Sequence, residues 1–166
     1  MIEDLINKID SPNRDRCLNL LNDNYNRFLN SPGSAKKHQN WVGGYIDHIE
    51  ETMNMAIILY HQMNSIRTLK FTISDVLLVL FLHDLEKPFK YVDPSISFTG
   101  DDAKLNFILI KCQQYSIGLS DDHLNALKYI HGEGNDYCEE RVQGPLAAFA
   151  HVCDVISARI WFDYPE

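Results

Sequence analysis

The sequence of 166 residues lacks any long apolar run, and it lacks the basic-then-apolar start that marks a signal peptide. No stretch approaches the roughly 20 apolar residues needed to cross a bilayer, so we expect no membrane association. No segment alternates between apolar and polar residues for the length of a strand, and no internal repeat is visible. These absences favour an all-α fold.

Cysteine is scarce and widely scattered. None of the four cysteines belongs to a CxxC pair, and their positions are Cys17, Cys112, Cys138 and Cys153. Such spacing is typical of reduced thiols rather than of a disulfide framework or a zinc knuckle. The sequence therefore predicts a cytoplasmic protein.

Positive charge is also in short supply. The chain carries 15 Lys and Arg against 23 Asp and Glu, a net charge of -8. A large nucleic-acid surface requires a basic footprint, so none is expected. A small phosphorylated substrate is still compatible with this charge, because metal cations can dominate the field inside one pocket. The oligomeric state is left open, a homo-oligomer included.

What the sequence does contain is enough apolar material, 45% of residues, for the core of one domain over residues 1–166. Helical periodicity and capping residues predict six to eight helices. The main predicted segments are a short helix near the N-terminus, a helix opened by Ser11-Pro12, and helices over residues 45–61, 74–84, 101–115, 120–131 and 145–162. Residues 88–100, with two prolines, are predicted to form an ordered loop.

The most informative stretch is residues 74–87, SDVLLVLFLHDLEK. Seven consecutive apolar residues, 76–82, predict a helix buried on all sides, with Ser74 as its cap and Pro88 as its stop. That helix runs directly into His83 and Asp84. An ionised Asp removed from water costs several kcal/mol unless it is paired or bound to a metal. The residues on other apolar helical faces that could compensate this charge are His48, His131, His151 and Asp154.

These side chains suit a metal site built between helices. His151 and Asp154 are one helical turn apart and can reach the same point. Adjacent residues such as His83 and Asp84 diverge by about 100° on a helix, so both can serve one site only by facing a space between helices. Imidazole and carboxylate ligands suit Mn, Fe, Co, Ni or Zn, and the absence of thiolates argues against a closed structural zinc. Six ligands could hold one octahedral ion, or two ions bridged by a carboxylate.

The motifs GGYIDH (43–48), HDLEK (83–87) and HxxD (151–154) resemble those of the HD superfamily of metal-dependent phosphohydrolases, over about residues 38–160. The resemblance implies a helical bundle with its core over residues 38–162 and an N-terminal helical extension over residues 1–33. It implies a first metal held by His48, His83, Asp84 and Asp154. Additional metal ligands would be His131 and His151, with Asp84 as the bridge.

The motif order is closest to the HD module of the YhaM-type 3′–5′ exoribonucleases, with two departures. Glu86 stands where the family's HDxGK variant has glycine, which places a carboxylate at the mouth of the site, and the nucleic-acid-binding OB domain of those enzymes is missing. Lys87 matches the lysine of that variant and would be a catalytic phosphate contact. Other candidate substrate contacts are Glu86, His38 and Arg141.

The resemblance thus implies an enzyme that cleaves a phosphoester bond of a small nucleotide or a short phosphodiester by a metal-activated water. Two alternatives within the same family are a non-catalytic module that senses a nucleotide, and a 3′–5′ exonuclease on short RNA. A third is a structural helical partner protein with a closed site. We expect metal and substrate dependence to separate them.

Overall fold

The computed structural model describes residues 1–93 and 95–164, and within these ranges the chain is helical and contains no strand. The predicted all-α fold is confirmed. None of the helices described is both long enough and apolar enough to pass through a bilayer. The α-helices are α1 (Ile2–Ile6), α2 (Asn13–Asn30), α3 (Gly44–Ile66), α4 (Ile73–Leu82), α5 (Glu86–Val92), α6 (Asp101–Gln114), α7 (Asp121–Tyr129) and α8 (Pro145–Ile160). A single 3₁₀ turn, Gly134–Asp136, lies between α7 and α8.

Helix α4 is the centre of the bundle. Residues 76–82 are each at most 2% exposed, as the uninterrupted apolar run predicts, because α1, α3, α7 and α8 all pack against this helix. Burying each of these large side chains contributes about 1.5–3 kcal/mol to folding. The end of α4 is therefore fixed in position by packing on all sides.

The start of α4 differs from the prediction. The N-cap is Thr72 rather than Ser74, and it forms a capping box in which the Thr72 hydroxyl accepts from the Asp75 N–H and the Asp75 carboxylate accepts from the Thr72 N–H. The Ser74 hydroxyl instead accepts a hydrogen bond of 2.8 Å from the backbone N–H of Asp10. Ser74 therefore ties the N-terminal segment to the central helix.

Helix α5 corrects the predicted loop over residues 88–100. Residues 88–92 are helical, whereas residues 93 and 95–100 are not, and residue 94 lies outside the described ranges. Pro88 occupies the third position of α5, where the backbone N–H has no intrahelical partner in any case, so proline is tolerated there. The chain therefore turns at residues 83–85 and re-enters a helix at once.

Helices α3 and α8 flank α4 and approach each other closely. Gly43, with φ of 87°, precedes α3, and Pro145 opens α8 at its first position as predicted. Ala147 and Ala150 are fully buried on α8, and their small side chains allow neighbouring helices to come near. The apolar residues of α1 and α2 belong to the same core cluster as those of the later helices.

Candidate metal centre

Imidazole and carboxylate groups from separate helices meet beside the end of α4. His48 comes from the first turns of α3, Asp154 from the middle of α8, and His83 with Asp84 from the turn between α4 and α5. The Nε2 atom of His48 lies 3.5 Å from Asp84 Oδ2 and 3.2 Å from Asp154 Oδ1. The Nε2 atom of His83 lies 3.2 Å and 3.7 Å from the same two oxygens. Four of the predicted ligands are thus brought together.

His131 approaches the same carboxylates from a different side. It lies two residues beyond α7, and its Nε2 atom is 3.7 Å from Asp84 Oδ1 and 3.9 Å from Asp154 Oδ2. Each carboxylate therefore turns one oxygen toward the pair His48 and His83 and the other toward His131. Two overlapping groups have their ligand atoms within 4.8 Å of one another: His48, His83 and Asp84, and His83, His131 and Asp154.

The turn after α4 explains how two adjacent residues can serve one site. The His83 N–H still bonds to the Val79 carbonyl at 2.9 Å, so the last helical hydrogen bond holds the histidine in place. The backbone keeps helical angles at His83 and Leu85, so His83 and Asp84 diverge much as on a helix, and both serve one site because the cluster lies in a space between helices. Both residues are only 2% exposed.

The unsatisfied atoms in this cluster are those that a metal would bind. Among the described residues, His48 Nε2 and His83 Nε2 are buried and have no hydrogen-bond partner of good geometry, and the buried Asp84 Oδ2 lies against the Lys87 ammonium. The other ring nitrogens are occupied, because His83 Nδ1 donates to the Leu80 carbonyl at 2.7 Å and His48 Nδ1 lies 2.8 Å from Ser157 Oγ. A buried polar atom without a partner is rare, and a histidine held at Nδ1 with Nε2 free has the usual form of a metal ligand. The donor set fits a divalent transition metal.

The electrostatics of the cluster also call for a cation. Burial lowers the pKa of His83, but the carboxylates of Asp84 and Asp154 outweigh burial and raise it to about 10. Burial raises the pKa of Asp154, whereas the contacts of its carboxylate with the His48 and His83 rings and the charge of His83 outweigh burial and bring the pKa below its usual range. A site that stabilises a proton on a buried imidazole this strongly has a negative field suited to a metal ion.

A second layer of polar side chains orients His48, and the sequence prediction missed it. Ser157 Oγ, next to His48 Nδ1, donates to Glu51 Oε2 at 2.6 Å, and Gln39 Nε2 donates to the same oxygen at 2.7 Å. Glu51 follows His48 by three residues and Ser157 follows Asp154 by three, so both lie one helical turn from a ligand. This spacing is the signal that could have identified them.

The loop before α3 holds this second layer in place. Gln39 is fully buried, has a left-handed φ of 42° and also donates to the Trp161 carbonyl at 2.7 Å. A Cβ on Gly44 would lie 2.0 Å from the Gln39 carbonyl oxygen, so only glycine fits at this approach. Gly43 has a left-handed φ and Gly44 allows the close approach, so each glycine has its own reason to be there.

Lys87 and Glu86 occupy the first turn of α5, beside the cluster. The Lys87 ammonium forms an ion pair with Asp84 Oδ2, and the lysine side chain is only 14% exposed. Glu86 is 5% exposed, and its Oε2 atom has no hydrogen-bond partner among the described residues. Burial, with the charge of Asp84, raises the pKa of Glu86 to about 7. Glu86 is therefore a buried group, not a solvated helix end.

The remaining predicted residues, His38, His151 and Arg141, differ in how they are related to the cluster. The His38 ring centroid is 4.9 Å from that of His48, and burial followed by the charge of Lys87 lowers the pKa of His38 to about 4. The Nδ1 atom of His151 is hydrogen-bonded to the Ile130 carbonyl, and His151 belongs to neither of the ligand groups above. Arg141 is exposed in the loop before α8 and does not line the cavity beside the cluster.

That cavity measures about 360 Å³ and shares a wall with the cluster. His83 and His131 form this shared wall. Its other walls come from the starts of α5 and α6, the end of α7 and the following loop, including Glu86, Asp101, Asp102, Lys104, Lys128, Glu133 and Asp136.

Comparisons with protein-family models, curated proteins and solved structures gave no match, so a functional assignment depends on the residues of the site.

Proposed function

We propose that this chain is a metal-dependent phosphohydrolase of the HD type, acting on a phosphoester of a small nucleotide or a short phosphodiester. The observation that carries the proposal is the convergence of His48, His83, Asp84 and Asp154 from three parts of the fold, with the unsatisfied Nε2 atoms of both histidines facing the two carboxylates. The motif resemblance supplies the reaction class. A divalent transition metal, Mn, Fe, Co, Ni or Zn, would supply Lewis acidity that activates water and neutralises phosphate oxygens.

Each protein group has a distinct role in the proposed reaction. His48, His83, Asp84 and Asp154 would hold the ion, and His131, which faces the second oxygen of each carboxylate, would be an additional ligand. One oxygen of Asp84 approaches His48 and His83 and the other approaches His131, which supports the proposed role of Asp84 as a bridge. His151 stays a predicted ligand that would need to leave the Ile130 carbonyl or bind through Nε2.

Lys87 and His38 are the groups we assign to the phosphoryl oxygens. Lys87 is buried beside Asp84 and keeps its charge, because Asp84 and Glu86 outweigh burial and raise its pKa. A buried cation at this place stabilises negative charge that grows in the transition state. His38 is neutral at neutral pH and can donate or accept a hydrogen bond near the cluster.

The site is small, which favours a small substrate. The net charge of -8 and a cavity of about 360 Å³ both disfavour a long nucleic-acid chain. The three buried cysteines, Cys17, Cys112 and Cys153, are free thiols and support a cytoplasmic setting. Assembly into a homo-oligomer is compatible with the proposal.

A metal-by-substrate screen tests the proposed function. Purified protein is assayed with added Mn, Co, Ni or Zn against phosphomonoesters, phosphodiesters, dNTPs, cyclic nucleotides and short RNA. We expect metal-dependent hydrolysis, and we expect His83→Ala and Asp84→Ala to lose more than about 100-fold in kcat/KM, beyond the loss typical of an outer-layer residue. His61→Ala, at an exposed histidine of α3, is the matched control.

The same screen separates the alternatives. Shortening of RNA from its 3′ end would identify an exonuclease, and tight nucleotide binding without product would identify a sensing module. Unchanged rates in both His83→Ala and Asp84→Ala would refute the assignment of these residues.

A further inference from the structure

The cavity beside the metal cluster has no role in holding the ion, yet it shares its wall with the ligands. His83 and His131 face the cluster on one side and the cavity on the other. If the phosphate binds at the cluster, as the proposed function requires, the group esterified to it has this cavity of about 360 Å³ as a neighbour. That volume lies at the lower end of the range for small-molecule sites.

Glu86 places a buried carboxyl group without a full set of partners in the cavity wall. Only 5% of Glu86 is exposed, and the residue contributes to the cavity wall. Its Oε2 atom has no hydrogen-bond partner among the described residues. The neighbouring Lys87 is paired with Asp84 instead. Burying a carboxyl oxygen without a partner costs free energy, and the cost is removed when a ligand donates a hydrogen bond to it.

The charge of the cavity wall restricts what else can bind. The wall includes five carboxylates, at Glu86, Asp101, Asp102, Glu133 and Asp136, and two lysines. Both lysines are already paired, Lys104 with Asp101 at 2.7 Å and Lys128 with Asp136 at 2.8 Å. A second phosphate group in this cavity would meet uncompensated negative charge.

We propose that this cavity binds the leaving group of the substrate, that Glu86 selects leaving groups with hydroxyl or amino donors, and that the acidic wall rejects leaving groups carrying further phosphates. This inference rests on the proposed function for the position of the phosphate. It assigns Glu86 as a specificity-determining residue of the site. The substrate class it names is a phosphoester of a polyol or an amine-bearing nucleoside without a polyphosphate chain.

A substrate series on the wild-type protein gives the first test. Adenosine monophosphate, adenosine triphosphate and p-nitrophenyl phosphate are compared under the same metal concentration. We expect kcat/KM for the monophosphate to exceed that for the triphosphate by at least about ten-fold, which corresponds to about 1.4 kcal/mol. A triphosphate cleaved as well as or better than the monophosphate would overturn the inference.

Two variants of Glu86 give the second test. Glu86→Gln keeps the shape and removes the charge, and Glu86→Met removes the acceptor while filling the space. We expect Glu86→Met to lower the ratio of kcat/KM for adenosine monophosphate to that for p-nitrophenyl phosphate by about ten-fold or more, because the leaving group of p-nitrophenyl phosphate donates no hydrogen bond. Glu86→Gln should lower this ratio less, because the amide oxygen still accepts. Asp122→Asn, at an exposed position of α7, is the control.

The melting temperature distinguishes selection from a structural role. Replacing an unpaired buried carboxyl by an apolar side chain removes a destabilising feature, so Glu86→Met should melt at a higher temperature than the wild type. If Glu86 instead stabilised the fold, Glu86→Met would melt at a lower temperature than the wild type. Lower stability together with equal losses on all substrates would contradict the assignment.

A binding measurement separates this inference from the proposed function. Saturation-transfer NMR with adenosine, on protein treated with a chelator, reports on the cavity without metal or hydrolysis. Adenosine binding that is weakened in Glu86→Met supports the cavity assignment even if no phosphoester is cleaved, in which case only the proposed function fails. Hydrolysis of p-nitrophenyl phosphate with unchanged selectivity in both Glu86 variants overturns the cavity assignment and leaves the proposed function intact.

Discussion

At the level of single residues, the orientation of the His48 ring depends on two side chains from other turns of the bundle. Ser157 lies against Nδ1 of His48, and Glu51 accepts the Ser157 hydroxyl proton at 2.6 Å. The serine hydroxyl can therefore accept from Nδ1–H while donating to the carboxylate. These two hydrogen bonds fix the His48 tautomer that leaves the Nε2 lone pair free for a metal.

Removing the serine hydroxyl should weaken metal binding without unfolding the protein. We expect Ser157→Ala to raise the metal Kd by about 10–100-fold, the range for loss of an outer-layer partner, and Glu51→Gln to raise it less, because the amide oxygen still accepts. Isothermal titration calorimetry measures both. Ser74→Ala is the control, because it removes a buried serine hydroxyl that bonds to Asp10 N–H at the other end of α4. The metal Kd of this variant should match that of the wild type.

Gly44 is the residue whose substitution the structure tolerates least in this region. A methyl group there would lie 2.0 Å from the Gln39 carbonyl oxygen, so the loop has to move. We expect Gly44→Ala to lower the free energy of unfolding by about 1–3 kcal/mol, the cost of overpacking. Urea denaturation measures the loss. Gly118→Ala is the control, because its Cβ would meet nothing nearer than 3.7 Å, and an equal loss there would contradict this account.

At the scale of the helical elements, the start of α4 joins two parts of the fold. The Asp75 carboxylate accepts from the Thr72 N–H at 2.7 Å, and its second oxygen lies 3.0 Å from His123 Nε2 on α7. The sequence pattern predicts that His123 faces solvent, but it is buried. Burial works to raise the pKa of Asp75, and the hydrogen bonds from Thr72 together with His123 outweigh burial and lower it.

The capping carboxylate should make stability depend on pH. Because the folded pKa of Asp75 is below its ordinary value of 3.8, its contribution is present above that value and is lost as the pH falls through the folded pKa. We expect Asp75→Ala to cost about 1 kcal/mol at pH 7, a difference that shrinks below about pH 4. Denaturation of the wild type and of Asp75→Ala between pH 2.5 and 7 measures this difference in the free energy of unfolding. A difference that stays constant between pH 7 and pH 2.5 would contradict this role of the Asp75 carboxylate.

The elements differ in how well the sequence predicts them. Helix α4 and its burial follow from seven consecutive apolar residues, and the start of α8 follows from Pro145. The predicted cap of α4 is wrong, because Thr72 and Ser74 both suit a cap and tertiary contacts decide between them. Helix α5 escapes prediction because a proline in the first turn of a helix resembles a proline that stops the preceding one.

The residues of the candidate site also differ in how well the sequence predicts them. His48, His83, Asp84 and Asp154 could be predicted because each lies on or next to an apolar helical face. The burial of Glu86 and the contact of Glu51 with Ser157 could not, because they arise from packing of α5, α6 and α8 against other segments that are distant in sequence. Acidic residues at such positions have the same local pattern whether they are solvated or enclosed.

At the scale of the whole molecule, the cluster of His48, His83, Asp84 and Asp154 joins α3, α4 and α8. Helices α3, α4 and α8 pack against one another, and each contributes to the cluster directly or through the turn at its end. A ligand that binds only the folded chain stabilises it in proportion to the logarithm of its concentration. The bundle therefore should gain stability from the same ion that the proposed reaction requires.

The most direct test of this account is the metal content of the protein at equilibrium. The wild type, His83→Ala and the control His61→Ala are dialysed against Mn²⁺ or Zn²⁺ and analysed by inductively coupled plasma mass spectrometry. We predict about one or two equivalents in the wild type and in His61→Ala, and less than about a tenth of that in His83→Ala, because His83 Nε2 belongs to both ligand groups. No metal above background in the wild type, or equal metal in His83→Ala, would contradict the account.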